Sequence, residues 1–144
     1  MTTEQLIERP FTAASFQAFM NEGKLMGSRN RDTGEIFVPP RPIDPKTHGD
    51  NMEWVELSGR GKLAAFTSVY IGTSAMIDAG FDRTNPYIAG IIELEEGPRM
   101  SGQVTGVDSL RPDIDWIGRP LKAVFVERDE GGKRRAYLLF EPAG

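Results

Sequence analysis

The sequence predicts a mostly β domain: a small barrel or sandwich of five or six strands, led by one helix. Three observations point there. Sixteen glycines and 10 prolines among 144 residues supply many turns and disfavour a helical bundle. From Glu53 onward, short apolar or alternating runs recur between turn signals. Near the N-terminus, one narrow apolar stripe repeats at helical spacing.

The leading stretch, to about Met26, reads as helical. Thr12 is its N-cap, ahead of Ala13-Ala14-Ser15-Phe16-Gln17-Ala18-Phe19-Met20. Phe16, Phe19, Met20 and Gly23 form the stripe, and Leu6, Ile7 and Phe11 precede it. A helix this short is not stable alone, so its stripe docks either on its own domain's core or on a partner subunit. Gly27 to Asp50 is poor in large apolar residues. Turn-forming Arg29-Asn30-Arg31-Asp32-Thr33-Gly34-Glu35 precedes a short extended Ile36-Phe37-Val38, which Pro39, Pro40 and Pro42 keep from becoming an inner strand. This segment has too little core to fold unaided. Strands then follow at Trp54–Leu57, Leu63–Ile71, Tyr87–Leu94, Met100–Val107, Leu121–Val126 and Ala136–Phe140. Asp129–Lys133 links the last two as a hairpin, and Ala75–Phe81 reads as a short helix ending at Gly80. The organisation is therefore 1–26 helical, 27–51 turn-rich, and 52–144 a β domain.

Composition excludes much chemistry. Lys and Arg total 17 against 21 Asp and Glu, a net charge of −4, which invites neither nucleic acid nor an anionic membrane. No apolar run approaches the roughly 18 residues of a membrane span, and Met1–Pro10 lacks an apolar signal region. A cytoplasmic protein is the expectation. With no cysteine there is no thiolate nucleophile, disulfide or cysteine zinc site. The single histidine, His48, lies in a polar turn, Asp44-Pro45-Lys46-Thr47-His48-Gly49-Asp50, and no G-x-S-x-G, P-loop or G-x-G-x-x-G is present. No residue is assigned as catalytic and none as a metal ligand.

After the leading helix come Pro39-Pro40-Arg41-Pro42, Glu53-Trp54-Val55-Glu56-Leu57-Ser58-Gly59-Arg60-Gly61 and Phe66-Thr67-Ser68-Val69. Pro86-Tyr87 through Gly97-Pro98-Arg99 follow, and then Gly118-Arg119-Pro120-Leu121-Lys122-Ala123-Val124-Phe125. In order and spacing these segments resemble the DUF35 family, along nearly the whole length of the chain. The resemblance implies an OB-fold barrel after a rubredoxin-like zinc ribbon. Here the four ligand positions read Asn30, Thr33, Asp44 and Thr47 instead of cysteine, so the expectation is a degenerate ribbon over 27–51 without zinc. It also implies an accessory subunit that helps hold coenzyme A or its acyl thioester, in a hetero-oligomer with a thiolase-superfamily partner that owns the reactive cysteine. The chain alone is then not an enzyme but part of a thiolase or acyltransferase-type complex.

Coenzyme A needs cations for its phosphates and flat side chains for its base. Five residues are singled out: Arg41, Lys62, Phe66, Tyr87 and Arg99. Arg41 follows two prolines that restrict its backbone, and is either a phosphate contact or a structural clamp. Lys62 lies beside Arg60 and Gly61 in an anion-facing or merely solvated turn. Phe66 belongs to a long strand's core or to the ligand, Tyr87 opens a strand after Pro86, and Arg99 follows the Gly97-Pro98 turn. Trp54 reads as core, whereas Trp116 covers a barrel end or meets a partner. Two other functions stand beside this one. A purely structural scaffold would make no contact with coenzyme A. A single-stranded nucleic-acid binder would have to use Lys133-Arg134-Arg135.

Overall fold

The computed structural model describes residues 9–143. Its elements are α1 (Ala13–Asn21), β1 (Met26–Asn30), β2 (Ile36–Phe37), β3 (Met52–Glu56), β4 (Arg60–Val69), α2 (Ser74–Asp78), β5 (Tyr87–Leu94), β6 (Arg99–Val104), a 3₁₀ turn (Ile114–Trp116), β7 (Pro120–Glu130) and β8 (Lys133–Pro142). They form two compact units. Among the described residues the first holds 9–59, 96–98 and 125–137, and the second holds 60–95, 99–124 and 138–143.

In the first unit β1 is the centre of a three-stranded antiparallel sheet ordered β2-β1-β3. Thr12 caps α1 as expected: its Oγ1 accepts from the Ser15 N–H at 3.2 Å. The helix stripe docks within its own unit, because Phe19 is fully buried with Met26 and Trp54. Phe11 and Phe19 each place their ring centroid 4.8 Å from that of Trp54, the latter edge-on. Trp54 Nε1 donates to the Arg9 carbonyl at 2.9 Å, and the Arg9 guanidinium lies 4.2 Å over the Phe19 ring. On the polar side of α1, Gln17 Nε2 donates to the Ala136 carbonyl (2.8 Å), and Asn21 Oδ1 accepts from the Ala136 N–H (3.0 Å). Leu6 and Ile7 lie outside the described residues.

Two elements differ from the sequence reading. Met26 opens a strand instead of closing the helical stretch, and the Trp54 strand pairs with β1 instead of joining the barrel strands. The cause is that β1 reads Met-Gly-Ser-Arg-Asn and buries polar groups: Ser28 and Asn30 are both buried. Apolar alternation, the usual signal of a strand, is absent there.

The second unit contains the rest of a closed barrel ordered β4-β5-β6-β8-β7, antiparallel except for the parallel β6–β8 pair. Mostly β and closed on five strands, it is the OB-type architecture that the sequence implied. Along β5 the buried residues Ile88, Gly90, Ile92 and Leu94 face inward. On β4 a bulge between Leu63 and Ala65 changes the parity, so Leu63 lies opposite Ile92 and Phe66 opposite Gly90. Gly90 and Gly102 face each other across β5 and β6. A Cβ on Gly102 would lie 2.9 Å from Cδ2 and Cε2 of Phe140, and one on Gly90 would lie 2.9 Å from Leu63 Cδ1. Gly102 makes room for Phe140, which has no exposed surface, and Gly90 does the same for Leu63 and Val104. At the hairpin, Gly131 and Gly132 both have positive φ (60° and 81°), as a two-residue turn between twisted strands requires.

Gly102→Ala is expected to destabilise the protein by about 1–3 kcal/mol through overpacking against Phe140. Gly23→Ala, where a Cβ meets nothing within 4 Å, tests only the positive φ of 81°. Chemical denaturation of both variants measures the difference, and an unchanged midpoint for Gly102→Ala would refute the packing account.

Candidate functional site

The structure distributes the five predicted residues instead of gathering them. Lys62, on β4, lies directly opposite Glu93 of β5, and Glu93 lies opposite Arg99 of β6. All three therefore project from the outer barrel face as one row. Lys62 Nζ is 3.6 Å from Glu93 Oε2, and Arg99 Nη2 is 3.8 Å from Glu93 Oε1. Two cations thus share one carboxylate, leaving one positive charge in excess. Both are mostly exposed, and such long surface ion pairs contribute little to stability.

Tyr87 stands on the same outward face of β5, six residues from Glu93, or about 20 Å along a strand. It packs edge-on against Phe81, ring centroids 5.8 Å apart. Gly72 lies against it: a Cβ there would come within 3.1 Å of Tyr87 Cε1. Phe66 points the opposite way, into the barrel, with its ring centroid 5.1 Å from that of the buried Trp116. Trp116 thus packs on the barrel interior. The Lys62–Arg99 row, the Tyr87 platform and the inward Phe66 are three separate places on the second unit.

Arg41 belongs to the first unit. Its backbone N–H donates to the buried Ser28 Oγ at 2.7 Å, and its side chain is exposed. The proline-flanked segment is therefore tied down by its backbone, and the guanidinium is not used in that tie. His48 is exposed in a left-handed turn, with φ of 61°.

The four ribbon positions do not fit zinc. Their oxygens serve the backbone instead: Asn30 Oδ1 accepts from Asp32 N–H, Thr33 Oγ1 from Glu35 N–H, Asp44 Oδ1 from Lys46 N–H and Thr47 Oγ1 from Gly49 N–H. None is a thiolate or an imidazole, the groups that hold structural zinc. The Asn30 amide beside Asp44 holds its carboxyl below the usual carboxylate range, with the Lys46 backbone N–H second. Arg29, then Arg31, does the same for Glu53, and Arg9 for Glu22.

Sequence reasoning missed Glu93, the shared partner of two singled-out cations. Its signal was the parity of Tyr87–Leu94, which sets Glu93 outward beside Arg99 once the Gly97-Pro98 turn is placed. It also missed a set of exposed apolar side chains, Tyr70, Ile71, Leu110 and Ile114. Ser68 Oγ donates to the Ser109 carbonyl at 3.1 Å, which brings Leu110 beside the end of β4.

Comparison with known proteins agrees with this architecture. Residues 54–126 match the family model described as the ChsH2 C-terminal OB-fold domain. A DUF35 domain-containing scaffold protein of Methanocaldococcus jannaschii is 30% identical over 92% of this chain and 89% of its own length. The benzoylsuccinyl-CoA thiolase subunit BbsA of Thauera aromatica is 34% identical over 57% of this chain and 52% of its own. Among solved structures, the Ltp2-ChsH2(DUF35) aldolase has the same fold, with a TM-score of 0.71 at 21% identity, covering 93% of this chain and 98% of that one.

The depressed carboxyls of Glu22, Asp44 and Glu53 make the first unit acid-sensitive. A lowered folded value stabilises above the ordinary carboxylate range, near pH 4, and that contribution is lost as pH falls through the folded value. The melting temperature is expected to hold between pH 7 and 5 and to drop below about pH 4, less steeply for Glu53→Gln. A parallel decline in both proteins would show that Glu53 is not among the groups responsible.

Proposed function

The chain belongs to the DUF35 family, and on that premise we propose that it is a non-catalytic accessory subunit in acyl-CoA metabolism. It binds or positions coenzyme A or an acyl-CoA for a thiolase-superfamily enzyme that supplies the nucleophile. One observation carries the reading: a DUF35 scaffold protein matches 92% of a chain that has no cysteine and a single, exposed histidine. The chain offers no nucleophile–base pair of its own. BbsA, named as a thiolase subunit, supports a catalytic partner.

In this role Lys62 and Arg99 form one anion-facing place and Arg41 another, each an exposed cation suited to a phosphate oxygen. The exposed Tyr70 and Ile71, just after β4, with Leu110 beside them, are apolar surface that a catalytic subunit would cover. A structural scaffold without ligand is the second reading, and the engagement of both Lys62 and Arg99 by Glu93 favours it. A nucleic-acid role has less support. On the basic hairpin, Arg134 is already paired with Glu127 (3.3 Å) and Asp129 (3.9 Å).

Native copurification followed by identification of the companion tests the assembly. A thiolase-superfamily enzyme in stoichiometric amount is expected, with acyl-CoA turnover only in the complex. Turnover by the rigorously purified chain alone would overturn the reading.

Titration calorimetry with coenzyme A, in the presence of that companion, tests the ligand. Arg41→Ala or Arg99→Ala is expected to weaken binding by roughly 1.5–3 kcal/mol, the scale of a hydrogen bond to a charged group. The melting temperature should stay unchanged. Unaltered affinity in both variants favours the scaffold.

Ile71→Asp combined with Leu110→Asp tests the surface. Both side chains are more than half exposed, so the double variant should fold normally yet lose its companion on size-exclusion chromatography. Retention of the complex would place the interface elsewhere.

A further inference from the structure

The turns at 30–35 and 44–49 repeat one hydrogen-bond scheme at a spacing of 14 residues. In each, the first residue's N–H donates to the sixth residue's carbonyl: Asn30 to Glu35 and Asp44 to Gly49, both at 2.9 Å. The fifth residue's N–H returns to the first carbonyl: Gly34 to Asn30 at 2.7 Å and His48 to Asp44 at 2.8 Å. Those fifth residues, Gly34 and His48, both have positive φ, 82° and 61°. The first side chain accepts from the third N–H, at 2.8 Å in both turns. The fourth, Thr33 or Thr47, accepts from the sixth, at 3.3 and 3.2 Å. The sequences Asn-Arg-Asp-Thr-Gly-Glu and Asp-Pro-Lys-Thr-His-Gly share only that threonine in equivalent places, so the repeat lies in the backbone.

One side-chain bond joins the turns. Asn30 Nδ2 donates to Asp44 Oδ2 at 2.8 Å, and both residues are buried. Each side chain spends one oxygen on its own turn and presents its other polar atom to its counterpart. We infer that Asn30 and Asp44 are a pairwise cross-link that holds the two turns in register without a metal, closing the loop 31–43 that carries β2 and Arg41. A hydrogen bond to an ionised acceptor is about twice as strong as a neutral one, and burial raises the cost of losing either member. The cross-link fixes where the loop is held, whatever Arg41 binds.

The equivalence of the turns makes the inference sharply testable, because reversing the pair rebuilds every bond. In Asn30→Asp, two carboxylates face each other. In the double variant Asn30→Asp with Asp44→Asn, the new carboxylate accepts from Asp32 N–H and from the new amide, whose oxygen accepts from Lys46 N–H. Amide hydrogen exchange of the full chain, read by NMR at Asp32, Glu35, Lys46 and Gly49, measures the result, with the β5 amides as internal control. Exchange at the four turn amides is expected to accelerate by about tenfold or more in Asn30→Asp and to return to within about threefold of the parent in the double variant. If the single variant does not fold, a double variant that folds with parent-like exchange supports the cross-link. No acceleration in the single variant, or failure of the double variant to recover, overturns it. So would a gain of turn protection when Zn²⁺ is added to the parent protein.

Discussion

Phe140 sits without exposed surface because β6 carries no side chain where the two meet, at Gly102. A barrel of so few strands has a narrow interior, and an aromatic ring fits only where its neighbours give way. Gly102 on β6 provides that space, while Gly90, its partner on β5, leaves room for Leu63 and Val104. The same register dictates what lies outside. With Ile88, Gly90, Ile92 and Leu94 inward, Tyr87 and Glu93 must point outward, and Lys62 and Arg99 follow Glu93 into their row. A slip of one residue would send the charged row into the core. Core packing and the cationic face are therefore one constraint seen from two sides.

The first unit is held differently. Phe11, Phe19, Met26 and Trp54 pack as one cluster, and Leu25, Val38, Met52 and Leu57 are buried as well. Directional bonds add to this burial: Arg9 with Glu22, Arg29 and Arg31 with Glu53, and the buried Asn30–Asp44 pair. Small units commonly need a staple beyond hydrophobic burial. Here the staple is polar, and it works only where every donor and acceptor is matched.

The legibility of the fold in the sequence follows this division. In the barrel, Tyr87–Leu94 was read with its observed ends, and the short helix near α2 and the Gly131-Gly132 turn were plain, because apolar period and turn chemistry decide them. The Thr73 cap of α2 was not read. In the first unit β1 was hidden, since Ser28 and Asn30 fill positions where a buried strand normally shows valine or isoleucine. Candidate site residues were chosen by type, and their grouping was not visible. Only strand register shows that Lys62 and Arg99 share Glu93 while Phe66 turns inward, and the bulge that turns Phe66 leaves no mark in the local sequence.

The bonds from Gln17 and Asn21 to Ala136 join positions 119 and 115 residues apart. On a ribosome adding about 5–20 residues per second, the polar side of α1 waits on the order of ten seconds for its counterpart. The strand it waits for, β8, also completes the ring between β6 and β7. Both units therefore stay unfinished during synthesis until the same strand emerges, and a nascent chain stalled short of it would expose an open sheet edge and the unpaired polar side of α1 together.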